Sequence, residues 1–278
     1  MASELSADDV PVIGRCTVAG GSAAIEAPGG AEKPLIVDGK VRAGDKILTG
    51  DDTGAALKFS DGTHVVLGAG STLVVDQFAY ESDTEDDAAH LTLEMGTFVI
   101  ETGDLAVSAD TFLVFTGDST LSLRSARIAV RVDPLGYDLA TLLPAKTGPL
   151  GEVLAHNKIG MQMLNRPWQT LRLGGGEEDI PAPLTLPSGV VWETYGGPGM
   201  ADALTPPDDD GAGDGHTDAF QPFEALHDRF LEREFIGRQV FPHDGPAKTG
   251  DGDGMLEDAF EGTRFRLADP DPEGSQQK

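Results

Sequence analysis

The chain has 278 residues, of which 47 are Asp or Glu and 20 are Lys or Arg, so its formal net charge is −27. This charge argues against nucleic-acid binding, which needs basic side chains to displace the counterions of phosphates, and against an anionic membrane surface as partner. The single cysteine excludes an internal disulfide framework and a cysteine-based zinc site, while 36 Gly and 18 Pro indicate many turns.

The first ten residues read MASELSADDV and contain no Lys or Arg. A secretory signal begins with a basic segment followed by an apolar run, and the longest uncharged apolar runs elsewhere are far shorter than the roughly 20 residues that span a bilayer. We therefore expect no signal peptide and no membrane insertion. Residues 1–40 are expected to form an N-terminal β-strand region, in which Cys16 is an inert thiol.

Short alternating runs separated by turn residues dominate residues 41–175. Ala55, Leu57 and Phe59 alternate with more polar positions, which is strand periodicity. Asp61-Gly62, a typical hairpin dipeptide, follows directly. Similar runs recur at intervals of roughly 8–12 residues, a spacing that predicts an all-β domain built as a sandwich, barrel or solenoid.

The segment from Val41 to Val75 has a distinctive order of turns and strands. Its first motif, GD-x-[IL]-x-TG, consists of Gly44, Asp45, Ile47, Thr49 and Gly50. Its hairpin motif, DGT, consists of Asp61, Gly62 and Thr63. Its last motif, LG-x-x-[ST]-x-[LI], consists of Leu67, Gly68, Ser71 and Leu73. This order resembles the FecR domain, a β-rich periplasmic module named after the regulator of ferric citrate transport. The resemblance covers residues 41–132, and residues 150–173 resemble the hairpin that often follows this domain.

The chain departs from the family pattern in two ways. Regulatory members have an N-terminal helical segment that contacts a sigma factor and then one transmembrane helix, and neither pattern is visible here. Members also commonly have an RGT triplet near the end of the domain, where this chain has Leu123-Arg124-Ser125. The resemblance therefore implies a FecR-like β-solenoid or sandwich that binds proteins without catalysis, and it argues against sigma-factor control in the inherited form.

The turn residues of the three motifs are predicted to be structural. They are Gly44, Asp45, Gly50, Asp61, Gly62, Thr63 and Gly68. Gly62 and Gly68 are expected to adopt positive φ, which glycine tolerates because it has no Cβ atom, and Asp61 is expected to bond its own backbone across the turn. A domain of this kind exposes strand edges, so the predicted mode of binding is the addition of a partner's strand.

Sequence patterns for catalysis or metal binding are not found. The six histidines show no HxH or HExxH spacing, and GxSxG does not occur. The Asp/Gly cluster that begins at Asp251 has Met255 and Leu256 where an EF-hand loop needs an oxygen ligand and a glycine. We therefore expect no catalytic residue, no cofactor and no metal site, with weak divalent binding by the acidic tail left open. An acid-rich hydrolase is an alternative that would need a deep cleft with two convergent carboxylates.

Residues 176–278 hold 23 acidic residues, 7 basic residues and 11 of the prolines. A segment of this composition cannot bury enough apolar surface to offset its chain entropy, so it is predicted to be a largely disordered linker and tail. One short amphipathic helix is predicted at residues 219–236, and it either packs back on the β-domain or docks on another protein. Its candidate partner-binding residues are Phe220, Phe223, Leu226, Phe230 and Leu231.

These features predict a non-enzymatic, FecR-like bacterial scaffold that binds protein partners in signalling. Acidic, Cys-poor, Gly- and Asp-rich chains without an N-terminal signal are common among proteins exported through C-terminal signals, so we expect it to act at or beyond the envelope. The alternative is a cytoplasmic regulatory adaptor derived from a FecR-type sigma regulator. The partner, the oligomeric state and any link to iron do not follow from the sequence.

Overall fold

The computed structural model describes residues 10–81, 87–107, 111–134, 137–173 and 178–205. In these ranges nearly all of the regular secondary structure is β-strand, with two short helices, which confirms the all-β prediction. The strands are β1 (Val12–Ala19), β2 (Ala24–Glu26), β3 (Glu32–Pro34), β4 (Lys40–Arg42), β5 (Lys46–Leu48), β6 (Ala55–Phe59), β7 (His64–Leu67), β8 (Thr72–Ala79), β9 (Ala88–Glu101), β10 (Phe112–Thr116), β11 (Ser119–Arg124), β12 (Arg127–Val132), β13 (Asp138–Leu142), β14 (Glu152–His156), β15 (Met161–Leu164), β16 (Gln169–Leu173) and β17 (Leu184–Thr185). The helices are α1 (Ser188–Tyr195) and α2 (Ala201–Leu204), and a 3₁₀ turn spans Asp104–Val107.

The strands form two sheets that share β9. Sheet A has the order β4-β1-β6-β7-β9-β12-β13-β16-β17. Sheet B has the order β3-β2-β5-β8-β9-β10-β11-β14-β15. All of these pairs are antiparallel except β9 with β10. The chain contributes one or two strands to one sheet and then passes to the other, so the fold has both sandwich and solenoid character.

Strand β9 passes from one sheet to the other within its own length. Its residues up to Met95 pair in sheet B, and its residues from Gly96 onward pair in sheet A. Gly96 has a φ of +106°, a conformation open mainly to glycine. A Cβ atom on Gly96 would lie 2.5 Å from the Cα atom of Ser71, so the crossing also depends on the missing side chain.

The main core lies between the two sheets and follows the alternation seen in the sequence. Its largest fully buried side chains are Ile47, Leu57, Leu67, Leu73, Leu91, Leu93, Phe98, Ile100, Phe112, Leu121 and Leu123. Burial of each such side chain contributes about 1.5–3 kcal/mol of stability, so this layer is the dominant contact between the sheets. Cys16 is also buried there, and burial raises the pKa of its thiol.

A second apolar cluster lies on the outer face of sheet A. The segment that contains α1 and α2 packs Leu186, Val190, Val191, Tyr195, Met200 and Leu204 against Val99, Ala129, Leu139 and Leu143 of the sheet. The predicted β-domain ends at residue 175, whereas in the structure β17 and both helices continue the packed structure to Thr205. The Pro- and Gly-rich composition of this segment concealed its apolar residues, because their spacing follows no single period.

Several sequence predictions lie outside the described residues. These are the amphipathic helix at 219–236 with Phe220, Phe223, Leu226, Phe230 and Leu231, and the Asp/Gly cluster from Asp251. They stay predictions. Neither α-helix that the structure describes has the length and hydropathy of a membrane span.

Candidate protein-binding surfaces

The Asp61 and Thr63 side chains of the hairpin motif join separate parts of the chain. The Asp61 carboxylate accepts hydrogen bonds from the Thr63 amide (2.8 Å), the Thr63 hydroxyl (2.7 Å) and the Leu105 amide (3.4 Å). The Thr63 hydroxyl oxygen accepts from the Gly103 amide at 2.8 Å. Both Asp61 and Thr63 are buried. The motif therefore ties the β6–β7 hairpin to the end of β9 and the 3₁₀ turn.

The first and last motifs meet through two hydroxyl groups. Oγ1 of Thr49 donates to the Gly68 carbonyl oxygen (2.7 Å) and accepts from the Ser71 amide (2.8 Å). Ser71 in turn hydrogen-bonds to the main chain of Thr97, where β9 changes sheets. The hydroxyl groups of these motifs therefore satisfy buried backbone groups.

The turn before β5 needs both of its motif residues. Gly44 has a φ of +86°, and the Asp45 carboxylate accepts a hydrogen bond from the Arg42 amide at 2.7 Å. Burial raises the pKa of Asp45, and its interactions with Arg42 oppose that shift. Gly50 packs closely on Ser22, because a Cβ atom there would lie 2.9 Å from the Ser22 Cβ atom.

The two glycines predicted to have positive φ differ. Gly62 has a φ of +89°, whereas the prediction for Gly68 is wrong, because its φ is not in the left-handed region. Gly68 is instead a contact point, since a Cβ atom there would lie 3.1 Å from Cγ of Met200, the residue before α2. Gly54 and Gly199 approach one another in the same way. The last motif, through Gly68, therefore packs against the segment that leads into α2.

Strand β15 forms a free edge of sheet B. Among the described residues it pairs only with β14. Asn157 donates its amide to Gly160 across the connecting turn, so in the alternating antiparallel pattern the main-chain groups of Met161 and Met163 point away from β14. Their side chains are 67% and 46% exposed, and Ile159 in the turn is exposed as well. An apolar strip therefore borders main-chain groups that have no strand partner in the described ranges.

The other outer strands of the two sheets are protected by charge, proline or brevity. β3 consists of Glu32, Lys33 and Pro34, β4 contains Lys40 and Arg42, and β17 has only two residues. Charged side chains and proline at an edge oppose pairing with a further strand. β15 has the sequence MQML, with neither. It is therefore the outer strand best suited to accept a strand from a partner.

Basic side chains form a row across the outer face of sheet A. Arg15 is the direct cross-strand partner of Lys40 on β4 and of Lys58 on β6, and Lys58 lies opposite His64 on β7. All four are exposed. Directly opposite residues share one face of a sheet, with Cβ atoms about 4.5–5.5 Å apart. We call these four residues the basic row. Partial desolvation, and next the charge of Lys58, lower the pKa of His64.

A groove of about 540 Å³ lies on the same face beside α2. Val18, Ala56, Val66, Asp52 and Asp202 are among the residues that line it. A smaller cavity of about 190 Å³ shares Val66 with the groove and is lined by His64. The groove and the basic row therefore adjoin.

Arg127 fastens the end of α2 to the sheet. Its guanidinium donates to the main-chain oxygens of Ala203, Thr205 (3.2 Å) and Pro144 (3.1 Å), and its Nε atom lies 3.9 Å from the Glu101 carboxylate. Arg127 is buried, which lowers its pKa, and Glu101 opposes that shift. A buried cation that binds three carbonyl groups fixes the place where the chain leaves the sheet.

Comparison with known proteins gives one family and two solved structures. Residues 45–141 match the family model described as FecR protein, a span that runs from the first motif into β13. A protein from Parabacteroides distasonis, provisionally named an anti-sigma factor, matches in two crystal structures. The 1.65 Å structure is 16% identical with a TM-score of 0.40, over 52% of this chain and 62% of that one. The 2.50 Å structure is 15% identical with a TM-score of 0.41, over 53% of this chain and 63% of that one.

The chain therefore spans less than two thirds of the length of those solved structures. No curated protein matches it significantly.

Proposed function

We propose that this chain, which contains a FecR domain, is a non-enzymatic bacterial scaffold that binds a protein partner by accepting its strand at the edge of β15. The proposal rests on two features found together. The outward main-chain groups of Met161 and Met163 lack a strand partner among the described residues, and the side chains of both residues are exposed and uncharged. An added strand would bond to those main-chain groups and cover both thioethers. Methionine side chains adapt their shape to the surface that covers them.

The rest of β15 is already held in place. The Gln162 side chain donates to the Ile180 carbonyl oxygen at 3.2 Å, and Asn157 in the preceding turn donates from its side chain to the Glu178 carbonyl oxygen at 2.7 Å. Neither these contacts nor the pairing with β14 uses the outward main-chain groups or the side chains of Met161 and Met163. A strand that is ordered before binding lowers the entropy cost of association.

The polar residues of the motifs form structural hydrogen bonds, which supports a scaffold rather than an enzyme. Asp61, Thr63, Thr49 and Ser71 are buried and bond to main-chain groups. Side chains engaged in this way are not placed to exchange protons with a substrate. Within the described ranges, no group of three or more His, Cys, Asp or Glu residues could hold a metal ion.

The test places a photoreactive amino acid at Met161 of the full chain, expressed in its native host. The matched control has the same amino acid at Val37, an exposed apolar residue in the turn before β4. We expect a covalent adduct with a partner protein from position 161 and none from position 37. Met163→Lys in the same chain should abolish the adduct, because charge at an edge opposes strand addition. No adduct, equal adducts at both positions, or an adduct that survives Met163→Lys contradicts the proposal.

The cellular location forms a second part of the proposal. We place the scaffold at or beyond the envelope, exported through a C-terminal signal, because its acidic, Cys-poor, Gly- and Asp-rich composition is typical of such substrates. The alternative is a cytoplasmic regulatory adaptor, which the match to a family named for a regulator favours.

Fractionation of the native host separates the two locations. It compares the full chain with a chain truncated after Thr205, which keeps every element that the structure describes. Export of the full chain alone supports the first location. Retention of both chains in the cytosol supports the adaptor.

A further inference from the structure

Described residues cover the outer face of sheet A over only part of its width. The segment that contains α1 and α2 packs over β9, β12 and β13. On the strands beside it, Val18 of β1 is 57% exposed, and Lys58 of β6 and His64 of β7 are exposed as well. A groove with apolar side chains in its lining, next to strands that the described residues leave exposed, is a feature of binding sites rather than of an inert surface.

Three basic side chains of this face lie together, at the end of the basic row away from Glu101, which is the cross-strand partner of His64. Lys40, Arg15 and Lys58 lie directly opposite one another on three strands, and none of them forms an ion pair with a described residue. Like charges directly opposite each other destabilise an antiparallel pair. An anionic partner would remove that repulsion. The groove itself is lined by both signs of charge, from Asp52, Asp202 and Lys146.

The chain itself has a segment of matching chemistry. Arg127 binds the carbonyl group of Thr205 beside the groove, and the 14 residues 206–219 separate Thr205 from residues 220–235. A stretch of 14 residues can span at most about 50 Å, so residues 220–235 lie within reach of the groove. The sequence of 220–235, FQPFEALHDRFLEREF, predicts an amphipathic helix whose acidic residues are Glu224, Asp228, Glu232 and Glu234.

We propose that residues 220–235 dock in cis into this groove, with their apolar face over Val18 and their carboxylates toward the basic row. Tethering favours this occupant over a free protein of similar chemistry, because a short linker gives an effective concentration in the millimolar range. Arg229 and Arg233 in the same segment complement Asp52 and Asp202, which line the groove. The site is separate from the β15 edge, so either proposal can fail without the other.

The test uses the full chain with a photoreactive amino acid at Val18. The matched control has it at Lys33, an exposed residue of β3 in sheet B. We expect a cross-link from position 18 that mass spectrometry maps to residues 220–235 in a product of monomer mass, and none from position 33. The double variant R15E/K58E and the tail variant F223D should each lower the yield by about fivefold or more, as should a rise in ionic strength to about 0.5 M. K33E should leave the yield unchanged.

Three results would overturn the proposal. A product of dimer mass would identify a second copy of the chain as the occupant. A cross-link to another part of the chain, or no cross-link, would show that residues 220–235 do not reach the groove. A yield indifferent to R15E/K58E and F223D would show that neither charge nor the aromatic face holds the segment there.

Discussion

Ser71 and Thr97 hydrogen-bond to each other in both directions. The Thr97 amide donates to the Ser71 hydroxyl oxygen at 3.1 Å, and that hydroxyl donates to the Thr97 carbonyl oxygen at 3.2 Å. Gly68 donates its amide to the same carbonyl oxygen at 2.8 Å. Ser71 and Gly68 both belong to the last motif, so that motif secures the place where β9 leaves sheet B for sheet A.

Alanine at Gly96 is expected to destabilise the fold far more than alanine at Gly62. Both glycines have positive φ, at +106° and +89°, but a Cβ atom on Gly96 would lie 2.5 Å from the Ser71 Cα atom, whereas Gly62 has nothing within 4 Å. Gly62→Ala should therefore cost about 1 kcal/mol for its conformation alone. Gly96→Ala should cost about 3 kcal/mol or more, because backbone atoms must move. Urea denaturation measures both losses, and equal losses would show that the crossing tolerates a side chain.

Removal of the Asp61 carboxylate should destabilise the protein by about 2–4 kcal/mol, because Asp61→Ala leaves buried amide donors of Thr63 and Leu105 without their acceptor. Asp51→Ala is the control, since Asp51 is an exposed turn residue and its loss should change stability by less than about 0.5 kcal/mol. Both free energies of unfolding come from denaturant titration. A loss for Asp61 no larger than that for Asp51 would contradict a structural role for the hairpin motif.

The sequence predicted those features that depend on neighbouring residues. The alternation around Leu57 and the Asp61-Gly62 turn correspond to β6, its hairpin and β7. Burial of the inward positions follows from the same alternation, since successive side chains of a strand point to opposite faces. Local pattern was therefore enough for the strand-rich class and for the place of the main turns.

Contacts between distant residues could not be predicted in this way. In the sequence Gly68 resembles a turn glycine. Glycine fits there because the side chain of Met200, far along the chain, packs against it. Arg127 occupies a polar position in an alternating strand, where solvent exposure is expected, yet α2 buries it. The basic row could not be predicted either, because Lys40, Arg15 and Lys58 come together only through the register of three strands. Strand register depends on contacts throughout the fold, so the local pattern of a sequence does not determine it.

Glycine at Ser125 is expected to stabilise the protein. Ser125 has a φ of +44°, a left-handed conformation that costs a residue with a Cβ atom about 1–2 kcal/mol. An alignment that sets Arg124 on the arginine of the RGT triplet puts Ser125 on its glycine. Part of the gain is offset by the greater freedom of glycine in the unfolded chain, so Ser125→Gly should add about 0.5–1 kcal/mol.

Thermal unfolding measures this gain against Ser60→Gly. Ser60 is an exposed turn residue without positive φ, so glycine there should be neutral or destabilising. A Ser125→Gly variant with a melting temperature at or below that of the parent chain would show that the backbone at residue 125 is not strained.

The buried hydroxyl group of Tyr195 should make stability depend on pH in the alkaline range. It lies 2.8 Å from Oγ1 of Thr141 under the second apolar cluster. Burial raises the pKa of Tyr195, and the hydrogen bond with Thr141 opposes the shift only in part. A raised pKa in the folded state means that the neutral phenol is favoured there. Its contribution to stability is complete below the pKa of the unfolded chain, about 10, and is lost as the pH rises above that value.

Tyr195→Phe tests this dependence, because phenylalanine cannot ionise. At neutral pH the parent chain should be more stable than the variant by about 1 kcal/mol, the contribution of one buried hydrogen bond. That difference should stay constant up to a pH of about 9 and then shrink above about 10, while groups common to both chains, such as the Cys16 thiol, cancel in the comparison. Urea titrations of both proteins across the pH range measure it. Stability curves that stay parallel through the alkaline range would show that the Tyr195 hydroxyl group is not desolvated in the folded protein.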